Sequence, residues 1–144
     1  MKIGINGFGR IGRLTLRNIL KREGLKVVAI NDLYPAEYLA YLLKYDSSHG
    51  KLDAVIEYDD NSLIINGEKI RITSERDPSN INWSSVNADY IVEASGVFLT
   101  TELAKKHLNA GAKKVVLSAP AKDETPTFVM GVNHLDYQTN YDIV

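Results

Sequence analysis

The stretch Met1-Lys2-Ile3-Gly4-Ile5-Asn6-Gly7-Phe8-Gly9-Arg10-Ile11-Gly12, then a helix-like run to Arg22, then Lys26-Val27-Val28-Ala29-Ile30-Asn31-Asp32, decides the fold. It reads as a strand, a glycine turn, a helix, a second strand and a carboxylate. The glycines fit G-x-G-x-x-G, and Asp32 lies twenty positions beyond Gly12. Three close glycines alone say little, because many loops hold them. With a strand before, a helix opening inside and an acid ending the next strand, they specify a dinucleotide site. Gly7 is expected to permit the tight turn and Gly9 to let backbone N–H groups approach a pyrophosphate. Gly12 is expected to bring the helix close to the sheet. The helix start turns its unpaired N–H groups and positive dipole end toward the phosphates, and Arg10 can add a charged fork there. Asp32 is placed to accept hydrogen bonds from both hydroxyls of an adenosine ribose. The plainer reading, a glycine turn in any βα pair with Asp32 capping a loop, leaves most of this context unexplained.

At 144 residues the chain is expected to form one domain, 1–144, with a sizeable core. Its 44% hydrophobic and 24% charged content is ordinary for a globular protein. A net charge of −1 gives no reason to expect nucleic acid or an anionic membrane as partner. With no cysteine, disulfides, thiolate metal sites and a cysteine nucleophile are excluded within this chain. No targeting segment precedes the first strand, and no apolar run approaches the roughly 20 residues that cross a bilayer. The expected compartment is the cytoplasm.

The first helix is expected from about Arg10 to Arg22 or Glu23, with Ile11, Leu16, Ile19 and Leu20 on its apolar side and Gly24 as terminator. The continuous apolar run in Lys26–Asn31 marks a strand buried on both faces of a parallel sheet. Ala36–Lys44 reads as a helix with Leu39, Leu42 and Leu43 inward. His49, between Ser48 and Gly50, is expected to be a loop hydrogen-bonder and not an acid or base. Residues 54–73 contain short β segments around Asn66-Gly67, the strongest hairpin signal, and predict a small antiparallel insertion with Lys69, Arg71 and Thr73 on a solvated face. Ile81-Asn82-Trp83 is a short packed segment. Ala88–Gly96 and Lys114–Ser118 read as further buried strands, Thr127–Gly131 as one more, and Asp142–Val144 as the start of another. Between them Thr100 or Thr101 caps a helix with Glu102 in its first turn, Leu103, Ala104, His107 and Leu108 inward, and Gly111 at its end. His107 on that stripe is expected to be a packed histidine. The pattern predicts an α/β, Rossmann-type doubly wound and mainly parallel sheet.

The predicted strands end in small or polar residues: Asn6-Gly7, Asn31-Asp32, Ser95-Gly96, Ser118-Ala119 and Gly131. Open parallel sheets bind ligands outside those ends, where strand order reverses. One half of a dinucleotide is expected over Gly7–Asp32 and the other toward Ser95 and Ser118. A 2′-phosphate beside Asp32 would meet repulsion of about 1 to 4 kcal/mol at ~4 Å, and Leu33-Tyr34-Pro35 supplies no cation to offset it. NAD is therefore expected over NADP.

Several strings resemble the glyceraldehyde-3-phosphate dehydrogenase family: Ile5–Arg13, Val28–Asp32, Leu43–Gly50, Glu75–Pro78, Glu93–Phe98, His107–Pro120 and Gly131–His134. The resemblance covers essentially the whole chain. It implies that Asn6, Gly7, Phe8, Gly9, Arg10 and Ile11 hold the NAD pyrophosphate, and that Asp32, at the end of the Asn31-Asp32 strand, binds the adenosine ribose. Arg76 is implied along the adenine side, and Ser95, Gly96, Phe98, Ser118 and Ala119 beside the nicotinamide half. The related erythrose-4-phosphate dehydrogenases usually carry Glu at the position of Asp32, so the nearer match is the glyceraldehyde-3-phosphate enzyme.

The family's nucleophile is a cysteine expected a few residues past a Tyr-Asp-Ile-Val string like that at 141–144. The resemblance thus implies a glycolytic, NAD-dependent, phosphorylating dehydrogenase whose catalytic domain, with its sites for a phosphorylated aldehyde and inorganic phosphate, is absent from this chain. The parent is implied to be a homotetramer, and the mid-strand ending favours truncation. Two other readings are a free-standing regulatory or redox-sensing dinucleotide module, and an interaction fragment with a vestigial site.

Overall fold

A computed structural model describes residues Met1–Val144. In chain order come β1 (Lys2–Asn6), α1 (Arg10–Ile19), β2 (Lys26–Asn31) and α2 (Ala36–Lys44), then β3 (Ile56–Asp59), β4 (Ser62–Ile65) and β5 (Glu68–Thr73). The last elements are β6 (Tyr90–Glu93), α3 (Thr101–Asn109) and β7 (Lys114–Leu117). One seven-stranded sheet has the order β3-β4-β5-β2-β1-β6-β7. The five strands from β5 to β7 run parallel, while β3 and β4 are antiparallel. From central β1 the chain steps to β2 and later β5, then returns to β1's other flank at β6. That reversal opens a crevice at the carboxyl ends of β1 and β6.

β1 directs Ile3 and Ile5 to one face, where they join Leu16 and Ile19 of α1 and Leu39 and Leu43 of α2. Gly4 faces the other way: a Cβ there would lie 2.7 Å from both the Trp83 ring and Ile91 Cδ1. The missing side chain lets Trp83 close against the strand. A bulge in β2 pairs Ile3 with Val27 but Gly4 with Ala29. With one residue extra, Val28 and Ala29 both join the Trp83 side while Val27 and Ile30 join the α1 side. The continuous apolar run of β2 follows from that doubly covered, bulged strand.

Arg17 of α1 is buried and donates to Leu43 O at 2.7 Å, satisfying a carbonyl in the last turn of α2, and to Gly50 O at 3.0 Å in the loop beyond it. Thr100 caps α3 through its hydroxyl, which accepts the Leu103 N–H at 3.2 Å. Val115 forms a parallel bridge with Ile143, and Leu117 N–H donates to Val144 O at 2.7 Å, so the final residues run beside β7 as expected.

Several expectations need correction. α1 ends at Ile19, because Lys21 and Arg22 donate to the carbonyls three residues back, Asn18 and Ile19, and tighten the chain before Gly24. Ile11 and Leu20 are exposed rather than inward, since the buried line of α1 runs through Gly12, Leu16 and Ile19. Leu103 of α3 is likewise exposed, while Ala104 and His107 are buried.

The residues near 54–73 are only partly an insertion. β3 and β4 form the antiparallel piece, but β5 is a member of the parallel sheet, paired with β2. Arg71 is half-buried, not fully solvated: it donates to Ile81 O at 2.9 Å and Ser85 Oγ at 2.6 Å, and Thr73, also half-buried, donates to Asn31 Oδ1 at 2.8 Å. Thr127–Gly131 forms no strand. The Asn133 side chain accepts from Val129 N–H at 2.7 Å and donates to Thr127 O at 3.0 Å, taking the groups a ladder would use.

Candidate dinucleotide-binding site

The crevice holds a cleft of about 450 Å³. Its walls come from four strand ends: Asn6, Gly7 and Gly9 after β1, Asn31 and Asp32 after β2, Glu75 and Arg76 after β5, and Ser95 and Phe98 after β6. Gly7 has φ +88° and lies where a Cβ would sit 2.5 Å from Ser95 N, so the first loop and the β6 loop touch there. A Cβ on Gly12 would fall 2.1 Å from Gly7 O, so this glycine seats the turn on the helix as much as the helix on the sheet. Gly9 is different. A Cβ there would meet nothing within 4 Å, leaving open space on the cleft side.

α1 starts at Arg10 with Gly9 as its cap residue and no side-chain cap. Its first-turn N–H groups are therefore left to water or an anion. Uncapped amides, the open space at Gly9 and the exposed Arg10 guanidinium fit a pyrophosphate. Asp32 closes the loop from the other side: Oδ2 accepts Phe8 N–H at 2.6 Å and Oδ1 accepts Tyr34 N–H at 3.1 Å. Asp32 lines the cleft, and each oxygen keeps acceptor capacity beyond these bonds, enough for a ribose diol. Arg13 donates to Phe8 O at 2.9 Å and braces the same turn.

The cleft floor is a buried polar network. Asn6 Nδ2 donates to Glu93 Oε2 at 2.6 Å, and Asn6 Oδ1 accepts from Asn31 Nδ2 at 2.8 Å. Asn31 also holds the β5 loop, donating to Glu75 O and accepting from Glu75 N–H, both at 2.8 Å. On the other side His107 Nε2 lies 2.8 Å from Glu93 Oε2, and Trp83 Nε1 lies 3.1 Å from His107 Nδ1. The indole N–H can only donate, so Nδ1 accepts and Nε2–H donates to Glu93. Glu93 Oε1 accepts the Ser95 N–H at 2.8 Å and its hydroxyl at 2.5 Å. Glu93 and His107 are fully buried.

Phe8 is buried beneath the turn, Ile11 is exposed beside it, and Gly96 (φ +75°) is exposed in the loop between Ser95 and Phe98. Ser118 and Ala119 do not line this cleft. They line a neighbouring depression of about 310 Å³ with Pro120, Phe128 and Val144, although Ser118 N–H donates to Glu93 O at 3.0 Å. His49 lies away from the cleft as a loop residue, its ring 3.1 Å from Asp46 Oδ1. Its backbone N–H and that of Ser48 hold the Asp46 carboxyl down at about 2. Sequence reading missed Glu93 and the partners of His107. The signal was an acid ending the apolar run Tyr90-Ile91-Val92, where a carboxylate must find donors.

A doubly wound sheet with a glycine-lined, uncapped helix start at its reversal point, and an acid ending the second strand, defines a Rossmann-type NAD-binding domain. Residues 1–101 match the family model described as the NAD binding domain of glyceraldehyde 3-phosphate dehydrogenase, and the chain belongs to this family. It is 57% identical over 144 residues to the glyceraldehyde-3-phosphate dehydrogenase of Salmonella typhimurium, covering 100% of this chain and 43% of the relative. With the glyceraldehyde-3-phosphate dehydrogenase A of Escherichia coli it shares 56% over 144 residues, again 100% and 43%. With the cytosolic enzyme of Trypanosoma brucei brucei it shares 53% over 138 residues, 96% of this chain and 42% of the relative. The chain thus spans less than half the length of the relatives it matches. NAD is the cofactor of this domain.

Proposed function

We propose that residues 1–144 form one NAD-binding domain, with the pyrophosphate on the turn Asn6–Ile11 and the adenosine ribose on Asp32. Arg76 flanks the adenine side, and Ser95, Gly96, Phe98, Ser118 and Ala119 face the nicotinamide half. The observation carrying this reading is the uncapped start of α1 beside the open space at Gly9. When bound, NAD supplies the hydride acceptor. This chain binds and orients it.

The reaction of the parent protein is the phosphorylating oxidation of glyceraldehyde 3-phosphate, with aldehyde and inorganic phosphate met by residues outside 1–144, in a cytoplasmic homotetramer. The names of the relatives support the glyceraldehyde-3-phosphate dehydrogenase part of this reading, and one of them is called cytosolic. Because the chain holds no cysteine, its own dehydrogenase activity is expected to be zero.

Calorimetric titration tests the site. NAD is expected to bind, NADP at least tenfold more weakly, and Asp32→Ala to lose about tenfold or more in NAD affinity while narrowing the gap to NADP. Equal binding of both dinucleotides, or an indifferent Asp32→Ala, overturns the assignment.

A further inference from the structure

Glu93 is a fully buried carboxylate that no proposed cofactor contact uses. Burying an ion is costly unless donors surround it. Here four surround it, from three parts of the chain: Asn6 at the end of β1, Ser95 in the loop after β6, and His107 of α3. The first two flank the crevice on opposite sides. Ser95 Oγ passes the order on by accepting the Val97 N–H at 3.2 Å, and Asn6 passes it to Asn31 and the Glu75 backbone.

The geometry points to Glu93 as a positioning residue for the cofactor, its single charge setting the separation of the β1 and β6 loops. The inference rests on the NAD reading of the cleft. Each of its oxygens faces obligate donors. Ser95 presents a backbone N–H to Oε1. Asn6 presents its amide N–H to Oε2 and cannot flip, because its Oδ1 accepts from Asn31, itself fixed by Glu75. His107 cannot turn its acceptor toward Glu93 without stranding the Trp83 N–H. An amide at position 93 therefore meets a donor whichever way it lies, and one loop must move.

A ligand spanning both loops feels that movement, and one confined to the β1 turn and Asp32 does not, because Phe8 N–H fastens that turn to Asp32 at 2.6 Å and the two keep their relation to each other. NAD spans; AMP does not. Glu93→Gln in the full chain is expected to weaken NAD by about tenfold and leave AMP within about twofold, read by NMR titration. If that variant does not fold, Glu93→Asp, which keeps the charge but withdraws it from both loops, is read the same way. Unchanged NAD affinity, or equal losses for NAD and AMP, overturns the positioning role and leaves Glu93 structural. Failure of the unsubstituted chain to bind NAD overturns the cleft assignment instead.

Discussion

Gly9 and Gly12 belong to one motif but answer to different forces. Gly9 has φ −69°, allowed to any residue, and faces open space. Gly9→Val should therefore leave stability within about 0.5 kcal/mol while filling the pyrophosphate position, so NAD affinity falls more than tenfold. Gly12→Ala should do the reverse in origin. Its Cβ meets Gly7 O at 2.1 Å, and the turn must shift, costing about 1–3 kcal/mol in urea unfolding. A Gly9→Val protein that binds NAD normally contradicts the proposed seat of the phosphates. The motif itself was readable because its spacing and flanks are local. Glu93 was not, since Asn6 and His107 reach it from 87 and 14 residues away.

Asp77 shows how a short connection is fastened to a helix. Its Oδ1 accepts the Ser79 hydroxyl at 2.6 Å and N–H at 3.1 Å, and its Oδ2 takes Lys106 of α3 at 3.1 Å. Those groups, the Ser79 hydroxyl foremost, lower its carboxyl to about 2. The unfolded value is about 3.9, so the folded state is favoured fully above about pH 4 and loses that advantage as pH falls toward 2. Asp77→Asn should be less stable than the parent at pH 6, with the gap closing between pH 4 and 2 in urea unfolding. A constant gap contradicts the ionic part of the tie. The strand periods of β1 and β2 and the Asn66-Gly67 turn, with φ +51° and +83°, followed from local chemistry. The parallel role of β5 was hidden because the same hairpin signal precedes it, and only pairing with β2 reveals it. The missing strand at 127–131 fails for the complementary reason: one later side chain, Asn133, captures its backbone.

The sheet brings four loops to one crevice, so cofactor and fold are coupled. Saturation with NAD at about a hundred times its Kd adds about 2.7 kcal/mol of stability, roughly 5–10 °C in Tm for a chain of this size. A scan with and without NAD checks this, and no shift at saturation contradicts binding to the folded state. The two flanks of the sheet are finished differently. Beside β7 the Asp142–Val144 backbone already takes up the open hydrogen-bonding groups. On the opposite margin β3 is four residues long and presents Glu57, Tyr58 and Asp59 to solvent, with Asp59 paired to Lys69 at 2.9 Å. A brief, negatively charged edge is a poor template for another chain's backbone. The hairpin thus acts as a guard against strand-on-strand aggregation, and a carrier of acids there serves solubility where the crevice serves NAD.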